Sequence, residues 1–323
     1  MPANSEGTMS KHSVKATLSA AVIATAVFGP PAAQAASAPL SGARVAAHFD
    51  LAAGRQPENV ALSPDGTANI TFAASRQVAR VTRDGSTRIV ATLPAPADGG
   101  VHTPVLGFPL TTGIVRAHDG TLYVLYATGT ADLTGLWRIR PGCAPERIAG
   151  LPANGLPNGL ALDPRTGTLY VADSVLGTIW SVPVRGGTPK AWSTAPELAS
   201  TGFLGVNGLK VRDGALWATN LDLGTILRIP LDRPGTVRTT ATGLVGIDDF
   251  EFTGRGDEIL ATLDSPNTVV LVRPDGTRST VLDATDGLRN PTSVAVRGET
   301  VYVLSAAYSL ADDPNMLLAH LDR

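Results

Sequence analysis

The chain has 323 residues, 43% hydrophobic and 17% charged, which is enough apolar content for a sizeable core and too much for a disordered chain. Its 26 basic and 28 acidic residues leave a formal net charge of -2 with no block of like charge, which argues against a nucleic-acid partner. The single cysteine, Cys143, excludes an intrachain disulfide, so stability has to come from sheet packing and from any bound ion.

At the N-terminus, the segment from Met9 to Ala35 carries Lys11 and Lys15, an apolar stretch from Ala20 to Phe28, the breakers Gly29-Pro30-Pro31 and the small-residue triplet Ala33-Gln34-Ala35. That is the layout of a secretory leader. The apolar stretch is well below the ~20 residues that span a bilayer. Residues 1–35 are therefore expected to be a signal region, with Met9 as an alternative start. Residues 36–323 are expected to form one secreted or extracytoplasmic domain with no stable membrane anchor after cleavage.

Beyond the leader the chain repeats itself, with units opening at Glu58, Thr112, Asn158, Asn207, Asp248 and Thr292. The third and fourth are the clearest pair. Asn158-Gly159-Leu160-Ala161-Leu162 matches Asn207-Gly208-Leu209-Lys210-Val211, and each run leads through an Asp/Gly-containing turn to a second strand and then a third, Gly177 to Pro183 and Gly224 to Pro230. The spacings between the six openings, 54, 46, 49, 41 and 44 residues, suit a four-stranded sheet per unit and exceed a 33- to 34-residue helical repeat. The predicted fold is all-β, a six-bladed β-propeller of four-stranded antiparallel blades. The last unit runs short, so its outer strand is expected from Arg44 to Leu51, closing the ring with the N-terminal strand.

In such a ring the first residue of each inner strand lies beside the central channel on one face. Alternation at Val60 and Leu62, Leu160 and Leu162, Leu209 and Val211, and Phe250 and Phe252 fixes the register, because a slip of one residue would expose them all. The ring is then Glu58, Thr112, Asn158, Asn207, Asp248 and Thr292, an oxygen donor at every position. Taken alone, Asn158-Gly159 and Asn207-Gly208 read as hairpin turn dipeptides. Glu58 and Asp248 hold the same slot with no glycine after them, which favours a hard-cation site with Glu58, Asn158, Asn207 and Asp248 as ligands. Two carboxylates and two amides suit Ca2+, with Mg2+ or Mn2+ as alternatives. The ring has neither His nor Cys, which disfavours zinc.

At these residues the sequence resembles the senescence marker protein, gluconolactonase and regucalcin-like family of six-bladed propellers, and more distantly the paraoxonases and strictosidine-synthase-like proteins. The likeness runs from about Arg44 to the C-terminus and is most recognisable at Pro157 to Pro164 and Leu169 to Ser174. It implies a divalent cation held by a Glu, one or two Asn and an Asp opening inner strands, which fall on Glu58, Asn158, Asn207 and Asp248. The sequence departs in having Thr112 where paraoxonase-like members place a histidine, and in lacking recognisable arginine and acidic positions for sugar hydroxyls.

A cation over such a channel polarises a carbonyl and acidifies bound water, so the expected function is hydrolysis of a small-molecule lactone or ester. Asp248 is the expected proton acceptor as well as a ligand. Asp173, Asn220 and Asp264, at the ends of second strands, are expected to line the substrate mouth together with Thr112 and Thr292. The Gly/Pro-rich connection from Pro94 to Pro109 is a candidate lid, and His102 on it a candidate for proton transfer. No Gly-x-Ser-x-Gly elbow or phosphate loop is present. A lyase or cyclase on the same scaffold, or a binding and scaffolding propeller with a structural ion, remain the alternatives, and a monomer is expected.

Overall fold

The computed structural model describes residues 39–322, and the expected signal region 1–35 lies outside them. The first strand, β1 (Leu40–His48), is separated in sequence from the blade it completes. Blade 1 is β2 (Pro57–Leu62), β3 (Ala68–Phe72), β4 (Gln77–Val81) and β5 (Thr87–Thr92). Blade 2 is β6 (Leu110–Arg116), β7 (Leu122–Ala127), β8 (Gly135–Ile139) and β9 (Glu146–Gly150). Blade 3 is β10 (Pro157–Asp163), β11 (Thr168–Asp173), β12 (Thr178–Pro183) and β13 (Lys190–Ser193). Blade 4 is β14 (Val206–Arg212), β15 (Ala215–Asn220), β16 (Thr225–Pro230) and β17 (Arg238–Ala241). Blade 5 is β18 (Ile247–Phe252), β19 (Ile259–Leu263), β20 (Thr268–Val272) and β21 (Arg278–Leu282). Blade 6 is β22 (Pro291–Arg297), β23 (Thr300–Ser305) and β24 (Asn315–Leu321), with β1 as its outer strand.

The six-bladed propeller of four-stranded antiparallel blades is therefore as expected, and the ring closes through β1 on β24, Leu40 opposite Leu321 and His48 opposite Asn315. The closing strand lies a few residues earlier than expected, ending at His48 instead of Leu51. Beyond it the chain turns, with Asp50 accepting from the Ala53 amide.

Second strands are buried along nearly their whole length because both of their faces are covered. In β7, Val124 and Tyr126 pack toward blade 1 while Tyr123 and Leu125 pack toward blade 3. The core is accordingly six slabs, one at each blade junction, with a smaller seventh cluster of Ala73, Leu110, Ala127, Leu156 and Leu204. Ile70 and Phe72 meet Tyr302 and Leu304 between blades 1 and 6, and Trp217 meets Phe250 between blades 4 and 5.

Candidate functional site at one mouth of the channel

All six inner strands carry a bulge at the ring residue, with pairing shifting between Pro57 and Val60, Thr111 and Ile114, Pro157 and Leu160, Val206 and Leu209, Ile247 and Phe250, and Pro291 and Ser293. A bulge re-aims side chains and frees backbone groups. Here it sends Asp248 to one mouth of the channel and its neighbour Asp249 the other way, where both Asp249 oxygens pair with Lys210 Nζ at 2.9 and 3.0 Å. Burial pulls the Lys210 ammonium down, but the Asp249 and Glu251 carboxylates outweigh it and leave it raised overall.

Neither Asn-Gly dipeptide is a turn. Asn158-Gly159 lies inside β10 and Asn207-Gly208 inside β14, and the glycines are there for close approach. A Cβ on Gly159 would meet the Asn207 carbonyl oxygen, and one on Gly208 would meet Asp249 Oδ1 at 2.5 Å.

Glu58, Asn158, Asn207 and Asp248 line one cavity of about 420 Å3. Asn207 Nδ2 donates to Asp248 Oδ1 at 2.7 Å, which leaves the Asn207 carbonyl oxygen for the cavity. Asn158 is buried at 6% exposure and its side chain makes no hydrogen bond among the described residues. Asp264, from the turn after β19, lines the same space, and its Oδ1 is buried without a hydrogen-bond partner. Tyr308, between β23 and β24, donates its hydroxyl to Glu58 Oε2 at 2.5 Å and keeps about a third of its surface open at the rim. Gln56 completes the polar lining.

The electrostatics are one-sided, since no Lys, Arg or His lines the cavity among the described residues. Burial pushes the Glu58 carboxyl up to about 7; the Tyr308 hydrogen bond opposes that rise, and the Asp264 and Asp249 carboxylates add to it. Burial and the neighbouring Glu58, Asp264 and Asp249 hold Asp248 well above the usual carboxylate range. Burial lifts Asp264 to about 6, against the Asn290 amide. Among the described residues no three Asp, Glu, His or Cys side chains meet closely enough to hold an ion by themselves, so a hard cation in this cavity would draw on Glu58 and Asp248 together with the amide oxygens of Asn158 and Asn207.

Other sequence-predicted residues have different work. The Thr112 and Thr292 hydroxyls donate to the Pro157 and Pro57 carbonyls of the next blade at 2.8 and 3.0 Å, so both are buried staples outside the cavity. Asp173 is fully buried and accepts from the Leu156 and Leu176 amides, tying its own loops. Asn220 donates to the Glu197 and Ala199 carbonyls and accepts from the Leu223 amide. His102 is exposed and paired with Asp98 at 2.7 Å, outside the cavity lining. Its loop nonetheless reaches the mouth through Leu106 and Phe108.

Sequence reasoning missed Tyr308 altogether, and no repeat position signals it. It also missed a circular set of staples. Thr71 donates to the Thr112 carbonyl, Ser174 to Val206, Thr219 to Asp248 and Thr262 to Thr292, at 2.7 to 3.2 Å. With Thr112 and Thr292 themselves, every blade junction carries one, always from a blade to its successor. A larger cleft of about 620 Å3, lined by Arg80, Arg116 and Arg140, lies at the edges of blades 1 and 2, away from the channel mouth.

No protein-family model matches the sequence, and no curated protein matches it either. Solved structures share the fold. Regucalcin from Agrobacterium tumefaciens, described as a calcium-binding protein, is 15% identical over 86% of this chain and 96% of its own, with a TM-score of 0.63. A gluconolactonase from Xanthomonas campestris is 15% identical over 88% and 91%, with a TM-score of 0.62. A catalytically inactive virginiamycin B lyase from Staphylococcus aureus, solved with quinupristin, is 18% identical over 83% and 82%, with a TM-score of 0.60.

Proposed function

We propose that this chain is a divalent-cation-dependent hydrolase of a small-molecule lactone or ester, with calcium as the ion. The observation that carries the reading is the convergence of Glu58, Asp248 and Asp264 with Asn158 and Asn207 in one cavity that no cationic side chain lines. Glu58, Asn158, Asn207 and Asp248 would hold the ion. When bound, such an ion polarises a carbonyl and makes water more acidic.

The chain's own residues supply the rest. Tyr308 fixes the rotamer of Glu58 through its short hydrogen bond, and Asn207 fixes Asp248. Asp264 is a better proton acceptor than Asp248, because Asp248 Oδ1 is already engaged whereas Asp264 Oδ1 has no partner. Lifted to about 6, Asp264 is mostly ionised at neutral pH and basic enough to take a proton from attacking water.

Calcium titrated into the metal-stripped protein should bind tightly to the wild type and not to Asp248→Ala, and hydrolysis across a lactone and ester panel should be lost with it. Retention of both in the variant overturns the reading. A lyase reaction is the second reading, favoured by the likeness to virginiamycin B lyase. Product mass separates the two, because hydrolysis adds one water.

A further inference from the structure

Above the polar floor the cavity changes character. Leu106 and Phe108 from the β5–β6 connection, Phe203 and Leu204 from the β13–β14 connection, and Leu221 from the β15–β16 turn form its wall. Phe108 is 37% and Phe203 48% exposed, and with their apolar neighbours in the wall they form an apolar patch beside the polar floor. The same face carries further apolar side chains. All nine exposed large apolar side chains among the described residues lie on connections that open at this mouth, including Val101, Leu176, Val245 and Leu310. The connections are strained as well. Val105 has a φ of 66°, an outlier for a β-branched residue, and Ala307 and Ala311, at 54° and 50°, bracket the Tyr308 turn.

We propose that this mouth takes carbonyl compounds with an apolar body, an alkyl chain or aryl group seated between Phe108 and Phe203 with the carbonyl on the floor. This rests on the hydrolase reading for its reaction and goes beyond it in naming the substrate class. The Leu and Phe wall offers no hydrogen bond to a polyhydroxylated body, which would find only Gln56 and Tyr308, its hydroxyl already given to Glu58, besides the floor residues, and no Lys, Arg or His among the described lining residues is available for a carboxylate or phosphate. A volume of about 420 Å3 accommodates a small ligand and leaves a long chain to run out across the apolar rim.

The test pairs a binding series with a turnover series on the calcium-loaded protein. Primary amides from butyramide to octanamide, which ester chemistry leaves intact, are titrated calorimetrically. kcat/KM is measured for p-nitrophenyl acetate, butyrate and octanoate and for gluconolactone. A fully buried methylene contributes roughly fourfold, so octanamide should bind at least tenfold tighter than butyramide. The octanoate-to-acetate ratio of kcat/KM should rise similarly. Phe108→Ser with Phe203→Ser, both at exposed loop positions, should cut both gains to below about threefold.

Chain-length-dependent amide binding with no cleavage of any ester or lactone would sink the hydrolase reading and leave the apolar occupant standing. Gluconolactone as the preferred substrate with a flat chain-length series would overturn this inference and leave the hydrolase reading intact. Absence of amide binding overturns the inference too, and if the wild type but not the double variant then sediments with phosphatidylcholine vesicles, the rim serves a lipid surface.

Discussion

Asp264 and Glu58 hold their protons more tightly in the folded protein than in an unfolded chain, moving from 3.8 to about 6 and from 4.5 to about 7. A raised carboxyl favours the fold while protonated, and that advantage is lost as pH rises from the unfolded to the folded value. Between about pH 4 and pH 7 the metal-free protein should therefore lose stability, on the order of a few kcal/mol from the two groups together. Thermal melts in chelator should give a lower Tm at pH 8 than at pH 5, and calcium should reverse the drop. Asp264→Asn should shrink it, and an unchanged pH slope in that variant would show that Asp264 does not feel the cavity. At this scale the repeating register of the ring was legible to the extent that Glu58, Asn158, Asn207 and Asp248 come to one cavity. Thr112 and Thr292 occupy the same slot, but a short hydroxyl on a bulged strand finds the neighbouring blade's carbonyl first. Tyr308 was illegible because its partner, Glu58, is 250 positions away and its loop is longer than the equivalent loop of every other blade, so no repeat position aligns with it.

The elements most sensitive to a small change are the bulged inner strands, since each bulge frees an amide that must be satisfied. In blade 5 the Asp249 amide donates to Thr262 Oγ1, while the one proton of that hydroxyl is shared between the Asp249 and Thr292 carbonyls. Thr262→Val keeps the shape and removes both roles, so it should cost about 1–3 kcal/mol, read as a shifted denaturant midpoint with unchanged slope. The ends of the second strands show why the site residues there were hard to read. Asp173, Asn220 and Asp264 follow equivalent strands, yet loops fold back to use the first two as clamps. Only Asp264 keeps an oxygen without a hydrogen-bond partner, and loop path, which decides this, has no periodic signature.

For the molecule as a whole, blade number and blade make-up were readable because apolar alternation and turn residues recur in every unit. The closing strand was placed less well, since Arg44-Val45-Ala46-Ala47 alternates weakly and leaves register underdetermined. The structure assigns closure to Leu40–His48, where Leu40 packs into the slab between blades 5 and 6 and Ala47 into the one between blades 6 and 1. Deleting residues 39–48 strips both slabs and bares the edge of β24, so it should lower Tm by well over 10 °C and promote association through the open edge. An unaltered melt would mean that the ring does not depend on its closing strand.

The circular staples make the channel mouth a hoop. Six bonds running in the same rotational sense leave no junction free to widen alone, so the aperture between Glu58, Asn158, Asn207 and Asp248 is set by the blades and not by whatever sits in it. The rim, by contrast, is built from connections that carry just one of the staple donors, Ser174 at the head of the β11–β12 turn. Loops from another protein of this shape can be transplanted onto the rim to change what enters, while the spacing of the floor beneath stays the same.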